Sequence, residues 1–150
     1  MTDIMPVINQ LNIVAKDFDK TLEFYRRLGV YIPEGVNLPD GTRHTTMTFP
    51  NGVVFEVDNQ DLAKVYNAGW RRPEGSNPAL IGFSFPTREA VDKCYIELVN
   101  AGYEGRQPPF DAFWGARYAI VVDPNGNDIG LMSPIDDARR TWPPVESPAP

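Results

Sequence analysis

One stretch of this 150-residue chain occurs twice. Pro50-Asn51-Gly52 leads into Val53-Val54-Phe55-Glu56-Val57, and Pro124-Asn125-Gly126 leads into Asn127-Asp128-Ile129-Gly130-Leu131. Each copy is a tight turn feeding a strand with alternating apolar residues. The copies stand about half a chain apart, so the chain reads as two similar modules. They differ at one position that bears on chemistry. Glu56 projects from the first strand, and Gly130 takes its place in the second.

The other elements can be placed around these copies. Residues 7–14 alternate as a strand, with Gln10 and Asn12 adjacent on one face. Asp17 is suited to cap a helix whose apolar stripe is Phe18, Leu22, Tyr25 and Leu28, and Gly29 is suited to stop it. A short strand is expected over 30–32, a loop over 33–41 and a strand over 42–49. The Asn51-Gly52 turn then joins that strand to 53–57 as a hairpin. A connector over 59–78 holds a short helix at 61–67, broken by the turn-rich run from Gly69 to Gly75.

The second module repeats the order. A strand over 79–85 leads to Thr87, which stands to its helix as Asp17 does to the first. Val91, Cys94, Tyr95, Leu98 and Val99 supply the buried face of that helix, and Gly102 ends it. Residues 103–112 read as a loop or weak strand, followed by strands over 116–122 and 127–132. The expected organisation is one domain over 1–133, with modules at about 7–58 and 79–133, and a proline-rich tail over 134–150. Such a tail is extended on its own. Trp142 is the residue that could dock it onto the body or onto a second subunit.

Charge narrows the partners. The formal net charge is -6 and the pI about 4.7, so the surface lacks the basic face that nucleic acid or an anionic membrane requires. Cys94 is the single cysteine, which excludes an internal disulfide and fits a reducing cytoplasm. The N-terminal residues show no signal-peptide pattern, and no run is long and apolar enough to span a bilayer.

The segment Asn9-Gln10-Leu11-Asn12-Ile13-Val14-Ala15-Lys16-Asp17, followed by Leu22-Glu23-Phe24-Tyr25, resembles the opening of a glyoxalase/bleomycin-resistance module of the vicinal oxygen chelate superfamily. Asp123-Pro124-Asn125-Gly126-Asn127 resembles that family's closing turn. The resemblance covers about residues 7 to 133. It implies an α+β fold of two paired βαβββ modules, whose curved mixed sheets surround a central pocket, and it implies a homodimer. Metal-dependent relatives place ligands on the first and last strands of each module. The matching positions here are Gln10, Glu56, Leu80 and Gly130. Leu80 has no donor and Gly130 has no side chain, so the resemblance points to the metal-free members, and neither metal nor cofactor is expected.

Several residues are candidates for contact with a ligand. Glu56 could act as a base or grip a cation; otherwise it would pair with Arg43, Arg117 or Gln10. His44, the only histidine, could shuttle a proton or simply be a solvated strand residue. Gln10 and Asn12 would add polar contacts. Phe110, Phe113, Trp114 and Tyr118, with Arg117 among them, would form a stacking wall for a flat ligand, a plug or a subunit contact. Tyr66 and Trp70 could cap the same cavity.

These residues together predict a metal-free protein that binds an apolar or aromatic small molecule, as in sequestration of an antibiotic or toxic metabolite. The rivals are a lyase, isomerase or dioxygenase-like enzyme using Glu56, and a subunit-interaction domain with a vestigial pocket.

Overall fold

Strand alternation and two capped helices build the same arrangement twice in the computed structural model, which describes residues 5–75, 77–141 and 148–150. The chain divides into two units, Met1–Arg72 and Pro73–Pro150. Unit one runs β1 (Gln10–Ala15), α1 (Phe18–Leu28), β2 (Val36–Asn37), β3 (Arg43–Thr48), β4 (Val54–Asn59) and α2 (Gln60–Tyr66). Unit two runs β5 (Leu80–Ser84), α3 (Arg88–Asn100), β6 (Gly105–Asp111), β7 (Arg117–Val122) and β8 (Asp128–Met132), followed by a single 3-10 turn at Asp137–Arg139. The fold is α+β. Each unit has a four-stranded mixed sheet that does not close on itself, in the order β1-β4-β3-β2 or β5-β8-β7-β6. The first and last strands of each unit are parallel, and the remaining pairs are antiparallel.

The helices start where the sequence predicts. Asp17 accepts a hydrogen bond from the Lys20 amide, and Thr87 accepts one from the Ala90 amide. Helix α1 buries Phe18, Leu22, Phe24, Tyr25 and Leu28, and the Tyr25 ring meets Phe55 of β4 edge-on at 5.0 Å. Ile13, Ala15, Phe55 and Val57 are buried on that side of the sheet. Because side chains alternate along a strand, Asn12, Glu56 and Asp58 emerge on the other side. In unit two, α3 buries Val91, Cys94 and Leu98, while Ala119, Val121, Ile129 and Leu131 are buried on the strands. The repeated turns close with Gly52 at φ 89° and Gly126 at φ 84°, a region that a side chain disfavours.

Several expectations need correction. β1 begins at Gln10, and Val7 and Ile8 are exposed. Residues 30–32 form no strand: the Val30 amide returns to the Tyr25 carbonyl, and Arg26 holds the Ile32 carbonyl. The short strand of this region is β2, inside the expected loop. Residues 105–111 form a full strand, but it lies at the sheet edge and its register shifts on either side of Gln107, where Pro108 and Pro109 offer no amide to the ladder. Val99 is exposed and Tyr95 half-buried, so α3 has a narrower buried face than expected.

The start of the tail is held rather than free. The Asp136 amide bonds the Gly115 carbonyl at 3.0 Å, and the Thr141 amide bonds the Phe113 carbonyl at 2.9 Å. Trp142 lies outside the described residues. Among those described, no helix is long and apolar enough to cross a membrane.

Candidate functional site

Each unit leaves one sheet face uncovered by its long helix, and the two faces carry different chemistry. In unit one, strand pairing sets three rows: Gln10 beside Val54 and Thr48, Asn12 beside Glu56 and Thr46, and Val14 beside Asp58 and His44. Asn12 donates from Nδ2 to Asp58 Oδ2 at 2.8 Å and to Glu56 Oε2 at 3.3 Å. Tyr66, carried in by α2, donates its hydroxyl to Asp58 Oδ2 at 2.9 Å. His44 Nδ1 stands 2.5 Å from Asp58 Oδ1.

Asp58 is 2% exposed, so its carboxylate has exchanged water for these three partners. Tyr66 is pushed up to about 12, first by desolvation, then by its bond to Asp58 and by the charges of Asp58 and Glu56. Its phenol therefore stays a donor at neutral pH. A neutral His44 in this position carries its proton on Nδ1 and presents a lone pair at Nε2.

Unit two replaces the acids with rings. Trp114 meets Phe113 at 5.2 Å, Tyr118 at 5.1 Å and Phe110 at 6.4 Å, each edge-on. The Trp114 indole N–H points to Met132 Sδ at 3.4 Å. The row that matches Asn12 and Glu56 is Gly82 and Gly130. A Cβ on Gly130 would stand 2.8 Å from the Tyr118 hydroxyl and 3.0 Å from Leu80 Cδ2. The missing side chain is thus what admits Tyr118 and Leu80 to this face. Burial, with a smaller contribution from Asp128, raises the Tyr118 phenol above its ordinary value. A cleft of about 340 Å³ beside the rings is lined by Phe113, Trp114, Arg140 and Thr141.

The expected site residues fall into three groups. Asn12, His44 and Glu56 come together on one face. Phe110, Phe113, Trp114 and Tyr118 form one ring cluster. Gln10 and Arg117 join neither group. Gln10 is exposed, and the register sets Asn12 rather than Gln10 beside Glu56. Arg117 sits on the α3 side, where it grips Asp92 at 2.8 Å and Asp111 at 3.2 Å. Those carboxylates hold its guanidinium protonated even more firmly than usual.

The alternative partners expected for Glu56 are also corrected. Arg43 pairs with Asp19 at 3.0 Å and lies over the Phe18 ring, so it faces away from Glu56. Asp58 is the residue the sequence reading passed over. Continuing the alternation of Val54 and Glu56 by two positions would have found it.

The residues present do not fit a divalent metal. The register-matched positions provide an amide, one carboxylate and two glycines. Among the described residues, no group of three or more His, Cys, Asp or Glu side chains could hold a metal ion.

Two βαβββ units, each with parallel first and last strands and one face free of its long helix, define a class of paired-module folds. The chain belongs to the glyoxalase/bleomycin resistance protein/dioxygenase superfamily, whose family model matches residues 7–131. It is similar to a glyoxalase-related enzyme from Fulvimarina pelagi, with a TM-score of 0.70, 15% identity and coverage of 96% of this chain and 100% of that one. It is also similar to a family enzyme from Burkholderia phytofirmans PsJN, with a TM-score of 0.68, 20% identity and coverage of 84% and 97%. A family protein from Nocardioides gives a TM-score of 0.66, 22% identity and coverage of 90% and 87%. At these identities the likeness establishes the fold alone. A search of the curated proteins finds no match.

Proposed function

We propose that the chain is a metal-free binder of small organic molecules that carry an apolar or aromatic group. The observation that carries this reading is the ring cluster of unit two, Phe110, Trp114 and Tyr118, set on a sheet face where the matching position of unit one bears a carboxylate. Such rings offer stacking area to a flat ligand at low entropic cost. Sequestration of an antibiotic or toxic metabolite is a role this binding would serve, and the family resemblance adds a homodimer.

The test is a titration of the isotope-labelled chain with a panel of aromatic compounds, followed by NMR, beside elemental analysis of protein purified without chelator. Binding localised to the ring cluster, weakened about tenfold in Trp114→Leu, is the expected result. A stoichiometric metal that switches on turnover would overturn it.

A second reading is an enzyme. The short His44–Asp58 contact favours it, because a buried carboxylate behind an imidazole orients the ring as a base. Turnover lost in both His44→Gln and Glu56→Gln, with ligand affinity retained, would move the assignment to this reading.

A further inference from the structure

The free face of unit one gathers two carboxylates among neutral polar and apolar side chains. Glu56 and Asp58 set two carboxylates on the same side of β4. Among the described residues, no Lys or Arg forms an ion pair with either. The one basic group at Asp58 is His44, which turns Nδ1 toward it; in the neutral ring with its proton on Nδ1, Nε2 is an acceptor. Asn12 uses Nδ2 on both carboxylates, and its Oδ1 is buried with no partner. Tyr66 directs its only O–H to Asp58. Arg43, next to His44 in the chain, is committed to Asp19 and Phe18. Two carboxylates that no Lys or Arg offsets favour a donor-rich cation and disfavour an anion.

From this we infer that the open face of unit one recognises a protonated amine, with Glu56 and His44 Nε2 as the acceptors of its N–H groups. A compact ammonium has three donors and no acceptor, which complements this set. The inference rests on the reading that the chain binds small organic molecules, and it concerns the face of unit one alone. No bond is made or broken.

Three probes with one ring system separate the two readings: 1-naphthylmethylamine, 1-naphthalenemethanol and 1-naphthoate, each titrated against the full isotope-labelled chain at low salt. The amine is expected to bind about tenfold tighter than the alcohol, and the carboxylate more weakly than either, because charge-assisted hydrogen bonds are the stronger class. The side-chain nitrogen signals of the single histidine should move with the amine. Added salt should shrink the preference.

Glu56→Gln keeps the size of the side chain, and His44→Gln provides a second variant; an unchanged backbone spectrum shows that each has folded. Each should bring the amine and the alcohol to within about threefold. An amine bound no better than the alcohol, or a preference untouched in both variants, overturns the inference. If the alcohol still binds, the small-molecule reading stands without it; if no probe binds, both fall.

Discussion

β4 of unit one and β8 of unit two occupy the same place in their sheets, each between its unit's first strand and third strand. Their core-facing residues correspond: Phe55 and Val57 in one, Ile129 and Leu131 in the other, all fully buried. Their alternate positions do not. Glu56 and Asp58 of β4 answer to Gly130 and Met132 of β8. Side-chain alternation explains how this is possible. One face of a strand maintains the helix-packed core, and the other can change from acids to glycine and methionine without disturbing it. The two units therefore share a fold and present different surfaces to whatever they meet.

The largest expected effect comes from forcing the units to match. Gly130→Glu would drive a Cβ against the Tyr118 hydroxyl and Leu80, which would have to shift, and would add a carboxylate beside the largely apolar ring cluster. Urea unfolding should show a loss of about 3 kcal/mol, from overpacking and a poorly solvated charge together. Part should return when Tyr118→Ala opens the space. A neutral outcome would mean that the glycine is incidental and that the contrast between the units is shallower than their faces indicate.

Asp58→Ala ranks next. It would strip three partners from a site with almost no water, leaving the Tyr66 hydroxyl and the Asn12 amide without their acceptor. The expected loss is about 2 kcal/mol by the same unfolding measurement. The His44 side-chain signals should also broaden or move once Nδ1 is released. Full stability in this variant would show that α2 is not tied to the sheet through Tyr66.

The smallest effect is one of pH. In the folded chain the Tyr66 phenol ionises at about 12 against an ordinary value of 10, chiefly through desolvation and the Asp58 bond. The neutral form is the one that folding favours. Its contribution is therefore complete below pH 10 and is lost as the pH rises through about 12. Tyrosinate absorbance rising in that range should be reduced in Tyr66→Phe. The stability change is small because Tyr66 is more than half exposed.

Much of this architecture was legible in the residues. The Asn51-Gly52 and Asn125-Gly126 turns, the caps at Asp17 and Thr87 and the apolar stripe of α1 are local signals. Their physics acts between near neighbours, so sequence alone places them. The family followed from those motifs in order. The contrast of Glu56 with Gly130 was also visible, because a side chain is either encoded or absent.

What a residue touches was decided by tertiary pairing. Strand register set Asn12 rather than Gln10 against Glu56, a choice between two residues on the same face that alternation cannot make. Arg117 lies beside the aromatic run in sequence, yet strand geometry turned it to Asp92 on α3. Asp58 is the last residue of the first module in the sequence, and it gained its partners only because β4 runs on to Asn59 and α2 brings Tyr66 over it. These contacts join residues far apart in the chain, and they exist only once the sheet has paired. Local composition determined which chemical groups the protein has, and long-range pairing decided which of them meet.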